Sequence, residues 1–267
     1  YRDERVESYY LRRSYGGTLG LRTRLFDAMQ FTAGGFAEWT EASLREGTAL
    51  GLETEAGEIG LSATGVVDNY DRYPFPRRGN ETLLTYDYRF RPATQEVYSI
   101  ASFEQQYYIP LFSDSAFGIG YRLASDFDTG SPSYERIFLG GFGSFPGLHE
   151  QEIFGRHTAV ASTELRIKLF SLPLGVGENV YLSLRGDLGN VWNEPLADIR
   201  DDPVLIAGGS VGLAADTVFG EFHLRYAAAA GNITGIDGNV NDSGVIRHAV
   251  YIVLGNPGDS PLFEARR

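Results

Sequence analysis

The run Gly208-Gly209-Ser210-Val211-Gly212 fits Gly-x-Ser-x-Gly, the spacing of a nucleophile elbow. In such an elbow a strained strand-to-helix turn exposes a serine beside backbone amides, ready for ester cleavage. The surroundings argue against that chemistry. The five residues sit inside an alternating segment with no helical periodicity after it, and no glycine-rich oxyanion loop stands upstream. Asp216 is followed by Thr217, not by the glycine a Ser–Asp lipase dyad uses. A second cluster, His149, Glu150, Glu152 and His157, has side chains able to hold a divalent cation. Loop histidines beside acids are ordinarily just solvated, so neither a metal nor another cofactor is expected. His223 stands between Glu221 and Arg225, where hydrogen bonding accounts for it. No catalytic residue is expected in this chain.

Charges at every second position are more telling. From Thr158 to Phe170, Val160, Ser162, Glu164, Arg166 and Lys168 alternate with Ala159, Ala161, Thr163, Leu165, Ile167 and Leu169. A pleated strand sends successive side chains to opposite faces, so this segment has one wet face and one greasy face. Leu84, Tyr86, Tyr88 and Phe90 alternate with Thr85, Asp87 and Arg89 in the same way. Phe222, Leu224 and Tyr226 alternate with Glu221, His223 and Arg225. Arg185 and Asp187, two residues apart, share a face and can pair on it.

Such segments run about 9–14 residues, near the length of a tilted membrane strand and longer than the ~5–6 usual in soluble sheets. Aromatics gather at segment ends, at Tyr9, Tyr10, Trp39, Tyr70, Tyr73, Tyr107, Tyr108 and Trp192, as interfacial girdles would. Alternation places segments near 14–26, 28–41, 47–56, 58–69, 80–90, 97–111, 115–126, 134–141, 158–170, 179–192, 205–217, 220–230 and 247–255. The segment at 134–141 reads either as a continuation of the strand partner of 115–126 or as the base of a long loop, which leaves a working count of about twelve strands. Even numbers are the bacterial rule.

Composition narrows the class further. With 33 glycines, 13% aromatic residues and no cysteine, the 267-residue chain suits many strands and turns and excludes disulfides and thiolate metal sites. A net charge of −12 repels phosphate backbones, so no nucleic-acid partner is expected. No apolar run approaches the ~20 residues of a membrane helix. The chain opens on Tyr1 in strand-like sequence, as a processed protein or a piece of a longer one would. The expected fold is an all-β antiparallel transmembrane barrel over residues 1–255, with a polar tail at 256–267.

Residues 136–192 resemble the bacterial surface antigen barrel, the superfamily that includes the central barrel of the outer-membrane assembly machine. Leu139-Gly140-Gly141 followed by Phe145-Pro146-Gly147-Leu148 is similar to the family's inward-folding loop, with Pro146 where its Val/Ile-Arg-Gly-Phe/Tyr signature carries arginine. Arg185, Asp187 and Gly189 resemble the partner motif Phe-x-Asp-x-Gly, with arginine replacing the aromatic. Arg185 is therefore expected to substitute for the missing loop arginine. Asp68, Asp71, Phe75, Pro76 and Gly79 resemble an Asp-rich turn of these barrels. Gly189-Asn190-Val191-Trp192, Ala215-Asp216-Thr217 with Gly220, and the closing Tyr251–Gly255 are similar to the patatin-like outer-membrane phospholipase branch, where the loop arginine is commonly missing.

The resemblance implies a sixteen-strand norm, of which this chain supplies about the last twelve strands. It implies a bacterial outer-membrane protein that anchors, and helps translocate, a lipase domain lying upstream. The other functions it allows are an assembly or secretion factor and a passive pore. The expected site is the loop motif Phe145, Pro146, Gly147 and Leu148 against the lumen residues Glu164, Arg166, Arg185, Asp187 and Gly189. Expected partners are outer-membrane lipids and lipopolysaccharide, the barrel assembly machinery during biogenesis, and a second copy in a homodimer that would cover open strand edges.

Overall fold

The computed structural model describes residues 8–47, 55–127, 137–149, 152–192, 205–232 and 243–255. The polar tail at 256–267 lies outside the described residues. Six strands come first: β1 (Ser8–Leu25), β2 (Met29–Gly47), β3 (Glu55–Asp68), β4 (Gly79–Arg91), β5 (Glu96–Pro110) and β6 (Ala116–Asp126). A short pair follows, β7 (Ile137–Leu139) and β8 (Ile153–Gly155). The last five are β9 (His157–Ser171), β10 (Gly177–Trp192), β11 (Ile206–Thr217), β12 (Gly220–Asn232) and β13 (Ser243–Leu254).

Eleven of these strands form one meandering antiparallel sheet, with β6 beside β9 and with β1 and β13 as its edges. β7 and β8 pair with each other, inside the connection from β6 to β9. The working count of twelve lies between the eleven wall strands and the thirteen strands in all among the described residues. One expected division resolves differently. The pair expected at 47–56 and 58–69 is one strand where it is described, β3, in unbroken register with β2 from Glu41↔Glu55 to Met29↔Val67. Gly57, which reads as a break, lies opposite Trp39, and a Cβ there would stand 2.9 Å from the Trp39 ring. The glycine makes room for the indole and does not turn the chain. In the segment at 134–141, described from residue 137, β7 ends at Leu139 before Gly140 and Gly141, both at positive φ (134° and 92°), and belongs to the long connection, as a loop base would.

The sheet is polar on its concave face and apolar on its convex one. Leu84, Tyr86, Leu184, Leu188, Leu213, Leu224 and Ile252 point outward and are exposed. Arg89, Ser183, Arg185, Asp187, His223 and Arg225 point inward and are buried. So large an exposed apolar face suits lipid and not water. Wall strands of 11 to 19 residues meet or exceed the ~9–11 a tilted membrane strand needs. Crossing by strands also satisfies the peptide groups between neighbouring strands within the sheet, all but those on the outer sides of β1 and β13. Trp39 and Tyr107 stay outward, as girdle residues would, but Tyr108 turns into the lumen, where it is 4% exposed and packs over Gly118. Its parity is that of Glu104 and Gln106, and parity decides which face a ring joins.

This division predicts unequal costs for the same substitution. Leu184→Arg, outward and mid-strand, should lower unfolding free energy in bilayers by about 2–4 kcal/mol. Thr85→Arg, on the wet face, should change urea unfolding midpoints far less.

Candidate functional site

The concave face is filled from both ends. From one end comes the long connection between β6 and β9; from the other comes the turn 69–78 between β3 and β4.

The long connection is seated by its small motif. Phe145 is 0% exposed and lies against Gly189 on β10 and Gly208 on β11; a Cβ at either glycine would come within 2.8 or 2.7 Å of its ring. Leu139, Leu148, Ile153, Val160, Val191, Ile206 and Ala229 complete an apolar cluster around it. Gly147, at φ 100°, rests on β12 so closely that a Cβ would stand 2.5 Å from the Ala228 carbonyl carbon. The Gly147 amide donates to the Tyr251 hydroxyl (3.2 Å), which in turn donates to the Leu148 carbonyl (2.9 Å). Pro146 is fully buried beside them.

Wall arginines reach the loop where it carries proline. Arg185 is held by Asp187 (Nη2 to Oδ1, 2.7 Å; Nε to Oδ1, 2.8 Å) and donates from Nη2 to the Ser144 carbonyl (3.2 Å). Arg122 pairs with Glu104 (3.0 Å) and donates to Ser144 Oγ (3.0 Å). Arg247 pairs with Glu152 (3.2 Å), whose other oxygen accepts from the His149 amide (2.7 Å). The Arg185 and Arg122 side chains are largely buried and fixed by their carboxylates, so these contacts specify where the loop sits more than they add net stability, while Arg247 is more open to solvent.

Glu164 centres the next layer. It accepts from Ser183 Oγ (2.8 Å) and the Tyr108 hydroxyl (3.0 Å) and lies 3.6 and 3.7 Å from Arg166 and Arg225. Arg166 stacks 4.3 Å above the Tyr108 ring and donates to the Pro76 carbonyl (2.7 Å) of the second plug. That turn is internally tied: Asp71 accepts from the amides of Arg77 (2.9 Å) and Arg78 (3.2 Å), and Arg72 donates to the Phe75 carbonyl (2.9 Å) and Tyr181 hydroxyl (3.1 Å). Partial burial pushes the Asp71 carboxyl up, but the two amides and neighbouring Arg72 outweigh it and hold it below the ordinary carboxylate value.

All nine residues expected to form the site thus line one continuous interior, Phe145 to Leu148 on the loop and the other five on β9 and β10. Tyr251, Arg122, Phe142 and the depth of the 69–78 turn are additions to the site; parity marks two of them in sequence, Arg122 beside Gly120 and Ala124 and Tyr251 beside Ala249 and Val253. Ser210 lies mid-strand in β11, opposite Arg185 and Ala227, with no turn to make it an elbow. His157 bonds Ser125 (2.8 Å) and Glu152 faces Arg247, so the two do not converge.

This architecture is that of an outer-membrane β-barrel with a loop folded into its lumen. The chain belongs to the Omp85 superfamily, whose domain it matches over residues 1–247. Among solved structures it is similar to BamA from Haemophilus ducreyi lacking POTRA domains 1–3, with a TM-score of 0.68 and 17% identity over 91% of this chain and 55% of that one. It is also similar to CdiB from Escherichia coli (TM-score 0.60, 16% identity, 90% of this chain and 45% of that one). For CdiB from Acinetobacter baumannii the values are 0.56, 14%, 90% and 42%. These are likenesses of fold, and the chain spans about half the length of each. No curated protein matches the chain. Its place is the bacterial outer membrane.

Three outcomes follow. Phe145→Ala empties a closed apolar seat, which costs about 3–5 kcal/mol, and should make the loop protease-sensitive before the wall unfolds. Arg185→Ala leaves Asp187 buried and unpaired, so heat stability on semi-native gels should fall, by about 3–5 kcal/mol in unfolding terms. Asp71 contributes stability that is fully present above its unfolded pKa and lost as pH falls through the lower folded value. Labelling of the 69–78 turn should therefore rise below about pH 4 in the wild type, and Asp71→Asn should abolish that rise.

Proposed function

We propose that this chain is the barrel of an outer-membrane factor that assembles or secretes other polypeptides. The observation that carries this reading is the inward loop: it is seated on β9–β13 through many separate contacts over a lumen of mixed charge, within a fold like that of BamA and CdiB. A lumen filled from both ends and lined by both signs of charge is poorly suited to a passive pore, which would keep an open path and a selectivity ring of one sign.

A second reading keeps a specific observation in its favour. Pro146 stands where the assembly members carry arginine, and Gly189-Asn190-Val191-Trp192 resembles the phospholipase branch. On that reading the barrel anchors a patatin-like lipase domain and helps it cross, and the ester chemistry belongs to that domain.

The two readings part in one preparation. The protein is purified from native outer membranes, weighed intact, and reconstituted into vesicles. Faster folding of an unfolded outer-membrane barrel client, relative to empty vesicles, is the expected result. A species far larger than 29.4 kDa that hydrolyses phospholipid and leaves client folding unaccelerated would overturn it in favour of the anchor. Stable single-channel conductance without either activity would mean a pore.

A further inference from the structure

The two plugs enter from opposite ends, yet they meet on one side chain. Phe75, from the 69–78 turn, sets its ring 5.7 Å from the imidazole of His223 at 60°. Phe142, from the long loop, sets its own ring 5.2 Å from the same imidazole at 64°. Each plug ring is braced further out, Phe75 against Tyr181 (5.1 Å) and Phe142 against Tyr251 (5.6 Å). Five rings therefore run Tyr181, Phe75, His223, Phe142, Tyr251, from β10 to β13 through both plugs. His223 is 4% exposed and fixed by Glu221 (3.1 Å). Arginines cover the two plug rings from the wall, Arg166 at 5.5 Å from Phe75 and Arg225 at 4.7 Å from Phe142, and both flank Glu164.

We propose that His223 couples the two plugs, so that loosening the turn at one mouth of the lumen loosens the loop at the other. The reason is steric and electrostatic. Removing Phe75 frees one side of the imidazole and one face of Arg166. The imidazole can then tilt off Phe142, and the Arg166–Glu164–Arg225 group can shift with it. An interior packed this closely passes on a displacement because it has no slack to absorb it. The coupling holds whether the barrel serves an assembly factor or a lipase anchor.

The chain contains no cysteine, so a single introduced thiol is a clean reporter. Gly143→Cys in the long loop is labelled in intact cells with a maleimide that cannot cross the membrane. Phe75→Ala, in the turn at the far mouth, should raise the labelling rate up to about tenfold, the worth of one aromatic contact. Phe75→Leu, which keeps most of the volume and guards against misfolding, should raise it less. His223→Ala should raise it at least as much as Phe75→Ala. Arg77→Ala removes the ion pair with Asp114 at the edge of the turn and leaves Phe75 against His223, so it should leave labelling unchanged. Unchanged labelling in a folded, heat-modifiable Phe75→Ala protein would overturn the coupling. So would an equal rise in Arg77→Ala, which would mean general loosening.

Discussion

Lipid offers no hydrogen bonds, and every other feature of this chain is arranged around that fact. A backbone crossing the bilayer must find partners for all its peptide groups in neighbouring strands, and once it does, side chains can only alternate between the two faces. Alternation makes the outer face apolar and leaves polar residues no other place than the interior. Glu104, Arg122, Glu164, Arg166, Arg185, Asp187 and Arg225 are thus collected on one concave surface, where they bind each other or the loops that enter.

The plugs are held by two kinds of contact with different ranges. Phe145 in its glycine seat and Gly147 on the β12 backbone are contacts of shape, lost as soon as the loop lifts by a fraction of an ångström. The guanidinium contacts to Ser144 and Pro76 weaken more gradually with distance and guide the loop back to its register. A loop held by both kinds is well placed yet removable, because the arginines it leaves behind keep Glu104, Glu164 and Asp187 as partners.

What could be read from sequence follows from how local each interaction is. Alternation is a two-residue pattern, so the wall strands, their faces and the Arg185–Asp187 pair were all legible. Gly57 misled because glycine signals a turn and a ring-accommodating gap equally well, and only the register with Trp39 tells them apart. Tyr108 could serve as girdle or interior by composition, and parity alone settles it. The ring series through His223 joins residues from β10, β12, β13 and two loops, and no short window of sequence contains it. Pro146 was visible as a departure, but the carbonyl that Arg185 reaches belongs to Ser144, 41 positions away.

The order of the chain adds a consequence for biogenesis. The loop precedes its own seat: Gly147 and Leu148 lie 104 and 103 residues before the Tyr251 that clasps them, and Arg72 lies 109 before Tyr181. Contacts between such distant parts of a chain form late. When β1 to β6 are in place, the plugs meet only part of their partners, Gln106 and Tyr108 on β5, Asp114 in the turn after it and Arg122 on β6, and their seats on β9 to β13 are still missing from the interior. It fills only after the last strand arrives, so docking of the loop acts as a built-in inspection of the finished wall.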